Sequence, residues 1–127
     1  MSKVEAGYFY TKNHEWAKVE GDRVRVGITD YAQDALSDIV YVELPGPGDH
    51  FDKDDALGVV ESVKSASDVY APVGGTVEEV NESLLDSPET VNVEPFGAGW
   101  LVVLKPDGPL EDLMDANAYE AFLETLH

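Results

Sequence analysis

The sequence predicts a mainly β fold with short helices and a helical C-terminal segment. Three observations carry that prediction. Over the first hundred positions, runs of β-branched and aromatic residues alternate with polar ones, the period of a half-buried antiparallel sheet. Gly and Pro clusters interrupt those runs at short intervals, as turns require. Only beyond Pro109 do apolar residues recur persistently at helical spacing. With 127 residues, 43% of them hydrophobic, the chain reads as one domain over 1–127. Its β core spans about 8–105 and its helical segment about 109–126.

Taken in order, the elements are these. Arg23-Val24-Arg25-Val26-Gly27-Ile28 is an alternating strand. Asp30-Tyr31-Ala32-Gln33 has the form of a capping box, with Asp30 as N-cap and Gln33 reaching back, and opens a short helix through Ala35-Leu36. Asp38-Ile39-Val40-Tyr41-Val42-Glu43-Leu44 is the next strand, closed by Pro45-Gly46-Pro47-Gly48. Two strand-like runs then flank Lys64, placing it at a hairpin tip. Pro72 and Gly74-Gly75 turn the chain into Gly75-Thr76-Val77-Glu78-Glu79-Val80, and Gly99 to Lys105 forms the last strand. After the Lys105-Pro106-Asp107-Gly108-Pro109 loop, Leu110, Leu113 and Met114, then Tyr119, Phe122, Leu123 and Leu126, form a core-facing helical stripe with a break near Asp115. The likeness of Ser37-Asp38-Ile39-Val40-Tyr41 to Ser67-Asp68-Val69-Tyr70-Ala71 hints at two related β units in a quasi-two-fold sandwich around Lys64.

Charge narrows the function. The net charge is −18, and residues 51–127 hold 17 of the 26 acids but only 3 of the 8 bases. Such a surface repels nucleic acid and anionic membranes. Few lysines among many acids resemble the surfaces of proteins from salt-loving organisms, so folding is expected to need high salt. The chain has no cysteine, which removes disulfides, thiolate metal sites and a thiol nucleophile. No apolar run approaches a membrane span and the N-terminus has no leader character, so a soluble cytoplasmic protein is expected.

Most constellations that could carry chemistry fail. Asp52-Lys53-Asp54-Asp55 lacks the glycine and distal glutamate of a calcium loop. Gly97-Ala98-Gly99 leads into a strand and cradles no phosphate. His14, His50 and His127 have neither ligand spacing nor a nucleophile partner, and His14, beside Trp16, reads as structural. Lys64 remains. It is the only base between Lys53 and Lys105, and a lone cation on a hairpin tip is either a solvated lysine or an attachment point.

Its neighbours favour attachment. Glu61-Ser62-Val63-Lys64-Ser65-Ala66-Ser67-Asp68 resembles the lipoyl-attachment segment of the glycine cleavage H-protein family. The likeness extends through Tyr10-Thr11-Lys12-Asn13-His14-Glu15-Trp16, Val26 to Gln33, Asp38 to Pro45, Ala71-Pro72-Val73, Val77 to Glu82, Ser87-Pro88-Glu89, Pro95-Phe96-Gly97 and Gly99-Trp100-Leu101. Biotin carriers share the fold but flank their lysine with methionines, where this chain has Val63 and Ser65.

The resemblance implies a lipoyl/biotinyl-type flattened β-barrel sandwich (hammerhead) that carries lipoate in amide linkage on Lys64 and is not itself an enzyme. It implies exchange of an aminomethyl group and reducing equivalents with glycine decarboxylase, a tetrahydrofolate-dependent aminomethyltransferase and dihydrolipoyl dehydrogenase. A lipoate ligase or an octanoyl/lipoyl transferase would load Lys64. Glu61 and Gly75 match positions read by the loading enzymes. Glu15 and Asp68 match residues of the cleft that holds the loaded aminomethyl arm. Plainer readings stand beside these: a turn glycine at Gly75, a turn-stabilising bond at Asp68 and simple solvation at Glu15. A lipoate relay or storage protein uncoupled from glycine decarboxylation is the alternative function. Asp54 and Gly74 depart from the family pattern, which usually has a turn glycine and a serine there; Asp tolerates the left-handed conformation better than most residues.

Overall fold

The computed structural model describes residues 3–126. Alternation of buried and exposed side chains produces nine strands in two sheets. β1 (Phe9–Tyr10), β2 (Glu15–Glu20) and β3 (Arg23–Ile28) form a meander. Gly21 sits at φ +67° in the two-residue turn between β2 and β3, a left-handed position that glycine occupies without strain. β8 (Gly75–Val80), β9 (Val102–Pro106) and β5 (His50–Phe51) complete a six-stranded sheet in the order β1-β2-β3-β9-β8-β5. β4 (Ile39–Glu43), β6 (Ala56–Ser62) and β7 (Ala66–Tyr70) form a separate three-stranded sheet with β6 in the middle.

One face of each sheet meets in the main core. Val24, Val26, Val77, Val102 and Leu104 from the large sheet pack in one cluster with Ile39, Val42, Leu57, Val60 and Val69 from the small one. The sheets stay open, so the architecture is the expected sandwich without closure into a barrel. The two similar segments around Lys64 are both edges of the small sheet, and because each runs antiparallel to β6 they run parallel to one another. The quasi-two-fold arrangement expected of them is therefore not what pairs them.

Helix starts were legible only to within a residue. In α1 (Asp30–Leu36) the N-cap is Thr29, whose hydroxyl accepts the Ala32 amide at 3.2 Å. Asp30 is instead the first helical residue, where its carboxylate receives the Gln33 side-chain amide at 2.9 Å and the Lys3 backbone N–H at 2.7 Å. Two single-turn helices, α2 (Ser83–Asp86) and α3 (Thr90–Val93), follow β8. The C-terminal helix α4 covers only Ala116–Glu124, capped by Asp115 accepting the Ala118 amide at 2.8 Å. The segment before it is not helical. Asp112 takes φ +57°, and Met114 pairs with Tyr10 through N–H···O bonds of 2.8 and 2.9 Å. Tertiary pairing has overridden the helical spacing of Leu110, Leu113 and Met114. Leu110 and Leu113 pack on the main core, while Met114 joins a second, aromatic cluster.

That second cluster is built mainly of aromatic rings. Tyr10 and Tyr119 stack with ring centroids 4.4 Å apart, and Trp16, fully buried, donates its indole N–H to the Pro95 carbonyl at 2.9 Å. Desolvation pushes the Tyr10 hydroxyl up to about 12. At the far edge of the large sheet His50 meets the Asp107 carboxylate at 2.7 Å, which raises the imidazole above its usual range. Asp54 adopts φ +73°, the left-handed backbone for which a glycine would be the ordinary choice.

Candidate functional site

Lys64 stands at the tip of the β6–β7 hairpin, and the tip is fixed by its own backbone. The Ser62 hydroxyl accepts the amides of Lys64 at 3.1 Å and Ser65 at 3.0 Å, and donates to the Ser65 carbonyl at 3.1 Å. The Ser62 amide donates to the same carbonyl at 2.7 Å. The Val63 amide reaches sideways to the Asp38 carbonyl at 3.0 Å, tying the tip to the start of β4. In the sequence Ser62 has no role of its own beside Lys64; a serine two residues before a tip is the signal of such a hydroxyl-stapled turn. Residues 63–68 are all exposed. Among the described residues the Lys64 ammonium has no salt-bridge partner.

Glu61 lies half-buried on β6, opposite Tyr41 on one side and Ala66 on the other. Gly75 is on the other sheet, where β8 begins between Phe51 and Pro106. A β-carbon at Gly75 would fall 2.5 Å from the Lys105 carbonyl oxygen, so close strand approach demands the glycine.

Glu15 is not solvated. It is only 2% exposed, and both carboxylate oxygens have partners: Thr11 Oγ1 donates to Oε1 at 2.5 Å and the Tyr70 amide to Oε2 at 3.2 Å. Burial pushes its carboxyl above the usual range, and the two hydrogen bonds pull it part of the way back. The Tyr70 bond places Glu15 against the free edge of β7. Backbone groups of alternate residues point to that edge, since Ala71 N–H bonds inward to Asp55 and Tyr70 N–H outward to Glu15. Asp68 therefore turns its main chain toward the Glu15 edge. Asp68 also lines a groove of about 230 Å³ on the outer face, together with Glu43, Asp49, Phe51 and Val59. The structure ties Glu15 to the β7 backbone at Tyr70, two residues beyond Asp68.

The turn that presents Glu15 is braced from behind. His14 sits at φ +68°, its carbonyl accepts the Thr29 amide at 2.9 Å, and its Nδ1 lies 2.8 Å from the Tyr119 hydroxyl. That hydroxyl also lies 2.8 Å from Thr29 Oγ1. The His14 ring packs on Tyr31 at 4.4 Å, and burial lowers its pKa. His14 is thus structural, as its place beside Trp16 suggests. His127 lies outside the described residues.

An exposed, unpaired lysine on a rigid hairpin of a two-sheet sandwich is the arrangement of a carrier domain for a covalently held group. Known proteins give that class its family. Residues 8–126 match the family described as Glycine cleavage H-protein. A glycine cleavage system H protein of Thermus thermophilus is 59% identical over 119 residues, covering 92% of this chain and 93% of its own. A probable glycine cleavage system H protein of Thermococcus gammatolerans is 56% identical, covering 98% and 95%. The crystal structure of an H protein from Mycobacterium marinum superimposes with a TM-score of 0.90 at 38% identity, covering 95% and 99%. The chain belongs to the glycine cleavage H-protein family, whose members are lipoyl carriers and not catalysts.

Proposed function

We propose that Lys64 is the residue that bears lipoate in this carrier. The observation that supports it is the bare ammonium on the Ser62-stapled tip. Amide formation removes the charge of Lys64, and because that charge has no partner among the described residues, no ion pair is sacrificed. The chemistry such a group supplies when bound is reversible dithiolane opening, which takes up an aminomethyl unit and reducing equivalents.

The chain's own residues supply attachment, presentation and shielding. Glu61 and Gly75 are proposed as the features read by a lipoate ligase or an octanoyl/lipoyl transferase, Glu61 on the hairpin and Gly75 through the backbone shape it permits. Glu15 and Asp68 are proposed to hold an aminomethyl arm. A carboxylate kept from water gains more from an approaching amine than a solvated one does, and Glu15 is so kept. Asp68 faces the same edge with its main chain, which suits it to accept a hydrogen bond there. Membership of the glycine cleavage system implies glycine decarboxylase, the aminomethyltransferase and dihydrolipoyl dehydrogenase as partners. Three enzymes that use one arm in turn need small, transient contacts. A cytoplasmic location completes the reading; no helix among the described residues is long and apolar enough to cross a membrane.

The test is the intact mass of protein isolated from its own host, with the modified peptide mapped. A lipoyl increment on Lys64 is expected. An unmodified chain, or an increment on another lysine, sinks the assignment.

The acid excess makes a separate prediction. Repulsion across a surface of net charge −18 acts over about 10 Å at 0.1 M salt and about 3 Å at 1 M. The melting temperature should therefore climb steadily between dilute buffer and molar potassium chloride. A melting curve that does not move with salt defeats the idea of a salt-requiring fold.

A further inference from the structure

The small sheet turns its second face to solvent, and beside Lys64 that face exposes large apolar side chains among its acids. Ile39 and Val42 both point into the core, yet they are three residues apart, and strict alternation would send one of them outward. A bulge between Ile39 and Tyr41 resolves the conflict, with Val40 as the extra residue. Its consequence is that Val40 and Tyr41 both face out, 53% and 48% exposed. Val63 on the tip is 68% exposed, and its amide bond to Asp38 holds it beside the start of this strand. Bulges re-aim side chains next to functional sites, and this one adds two large apolar groups to the flank of the Lys64 tip.

The surroundings carry one sign of charge. Tyr41 is paired with Glu61, and the next row of the same face is Glu43, Val59 and Asp68. Asp38 adjoins the ridge through the Val63 bond. The sequence from 54 to 104 contains no base but Lys64, and that one is neutral once acylated. A second copy of this chain would bring the same acids and repel, as would an anionic membrane.

We infer that Val40, Tyr41 and Val63 form a docking ridge for a partner enzyme whose active-site mouth offers an apolar hollow rimmed by lysine and arginine. The inference rests on the carrier reading above, since only a partner that takes in the arm of Lys64 has to meet this flank. The apolar ridge supplies the part of the contact that excludes water, and the acid rim supplies orientation and speed of encounter. Enzymes sharing the ridge would compete for it, which suits a carrier that must leave each partner.

The experiment is titration of the lipoylated protein against glycine decarboxylase from the same host, at low and at raised salt. Val40→Thr, Tyr41→Thr and Val63→Thr combined keep residues suited to strands and are expected to weaken binding roughly tenfold. Val63→Thr alone, on an exposed loop that cannot disturb the core, should weaken it measurably if the triple variant folds poorly. Val19→Thr, equally exposed on β2, should bind as wild type does. Binding should weaken with salt, and Asp38→Asn with Glu43→Gln should flatten that dependence. Unchanged affinity in the triple and Val63 variants overturns the ridge while leaving the carrier reading intact. Salt-independent binding overturns the cationic rim. A wild-type holo-protein that does not engage the decarboxylase at all overturns the carrier reading itself, and the ridge with it.

Discussion

Lys64→Arg should reduce glycine–bicarbonate exchange to the level seen with no carrier present, while leaving the melting temperature unchanged. The two halves of this result have different causes. Arginine keeps the positive charge and most of the length of the side chain, but its guanidinium stays protonated at any physiological pH and offers no amine for acylation. An exposed side chain without a salt-bridge partner adds little to the fold, and surface substitutions of that kind change stability by less than about 0.5 kcal/mol. The readouts are lipoyl incorporation by mass, exchange with added decarboxylase, and thermal unfolding of the same samples. Exchange that survives in the arginine variant, with no lipoyl group found elsewhere, would falsify the role of Lys64. Loss of exchange together with a large loss of stability would show instead that Lys64 has a structural task.

Lys64 was legible in the sequence because its signal is one of composition and local order. It is a single base in a long acidic stretch, between two alternating runs, inside a segment that resembles a known family's attachment site. The strands were legible for a similar reason, since period-2 alternation is local. What escaped required contacts across the chain. Thr29 and Asp30 are adjacent and both suit an N-cap; Thr29 takes the role by accepting the Ala32 amide, and its hydroxyl is further held by Tyr119, ninety residues away. Leu110, Leu113 and Met114 fit a helix by spacing, but Met114 gains a backbone partner in Tyr10 that no periodicity announces. Glu15 opens an alternating strand at a position that reads as solvated. Its burial depends on donors from Thr11 and from Tyr70, the latter 55 residues away. Val40 and Tyr41 belong to a strand whose sequence gives no sign of a bulge, which only the burial of both Ile39 and Val42 reveals.

The second large effect is expected at Tyr119, where the same kind of distant contact supports the site. Its ring is fully buried against Tyr10, and its hydroxyl serves two groups, Thr29 and His14, on either side. Tyr119→Phe keeps the stacked ring but leaves the His14 nitrogen without its hydroxyl partner and the Thr29 hydroxyl with only the Ala32 amide, a cost of about 1–3 kcal/mol. Tyr119→Ala also removes the ring from a packed cluster and should cost about 3–5 kcal/mol, a large share of the 5–15 kcal/mol typical of a domain. Urea unfolding at neutral pH separates the two, and equal losses in both variants would mean that the hydroxyl carries the effect alone. The acid side offers an independent check. Burial depresses the His14 pKa, so the unfolded chain binds this proton more tightly than the native one. The stability His14 contributes is complete above its unfolded pKa, near 6.5, and is lost as pH falls from there through its lower native value. His14→Asn, which tolerates the left-handed backbone at this position, should be less acid-sensitive than wild type between pH 7 and 5. Identical slopes would put His14 in solvent. Because His14 closes the turn from which Glu15 projects, loosening either partner should also loosen the shielding of that carboxylate. The C-terminal helix, plain in sequence as an apolar stripe, thereby acts as the buttress of the turn that the arm is proposed to meet.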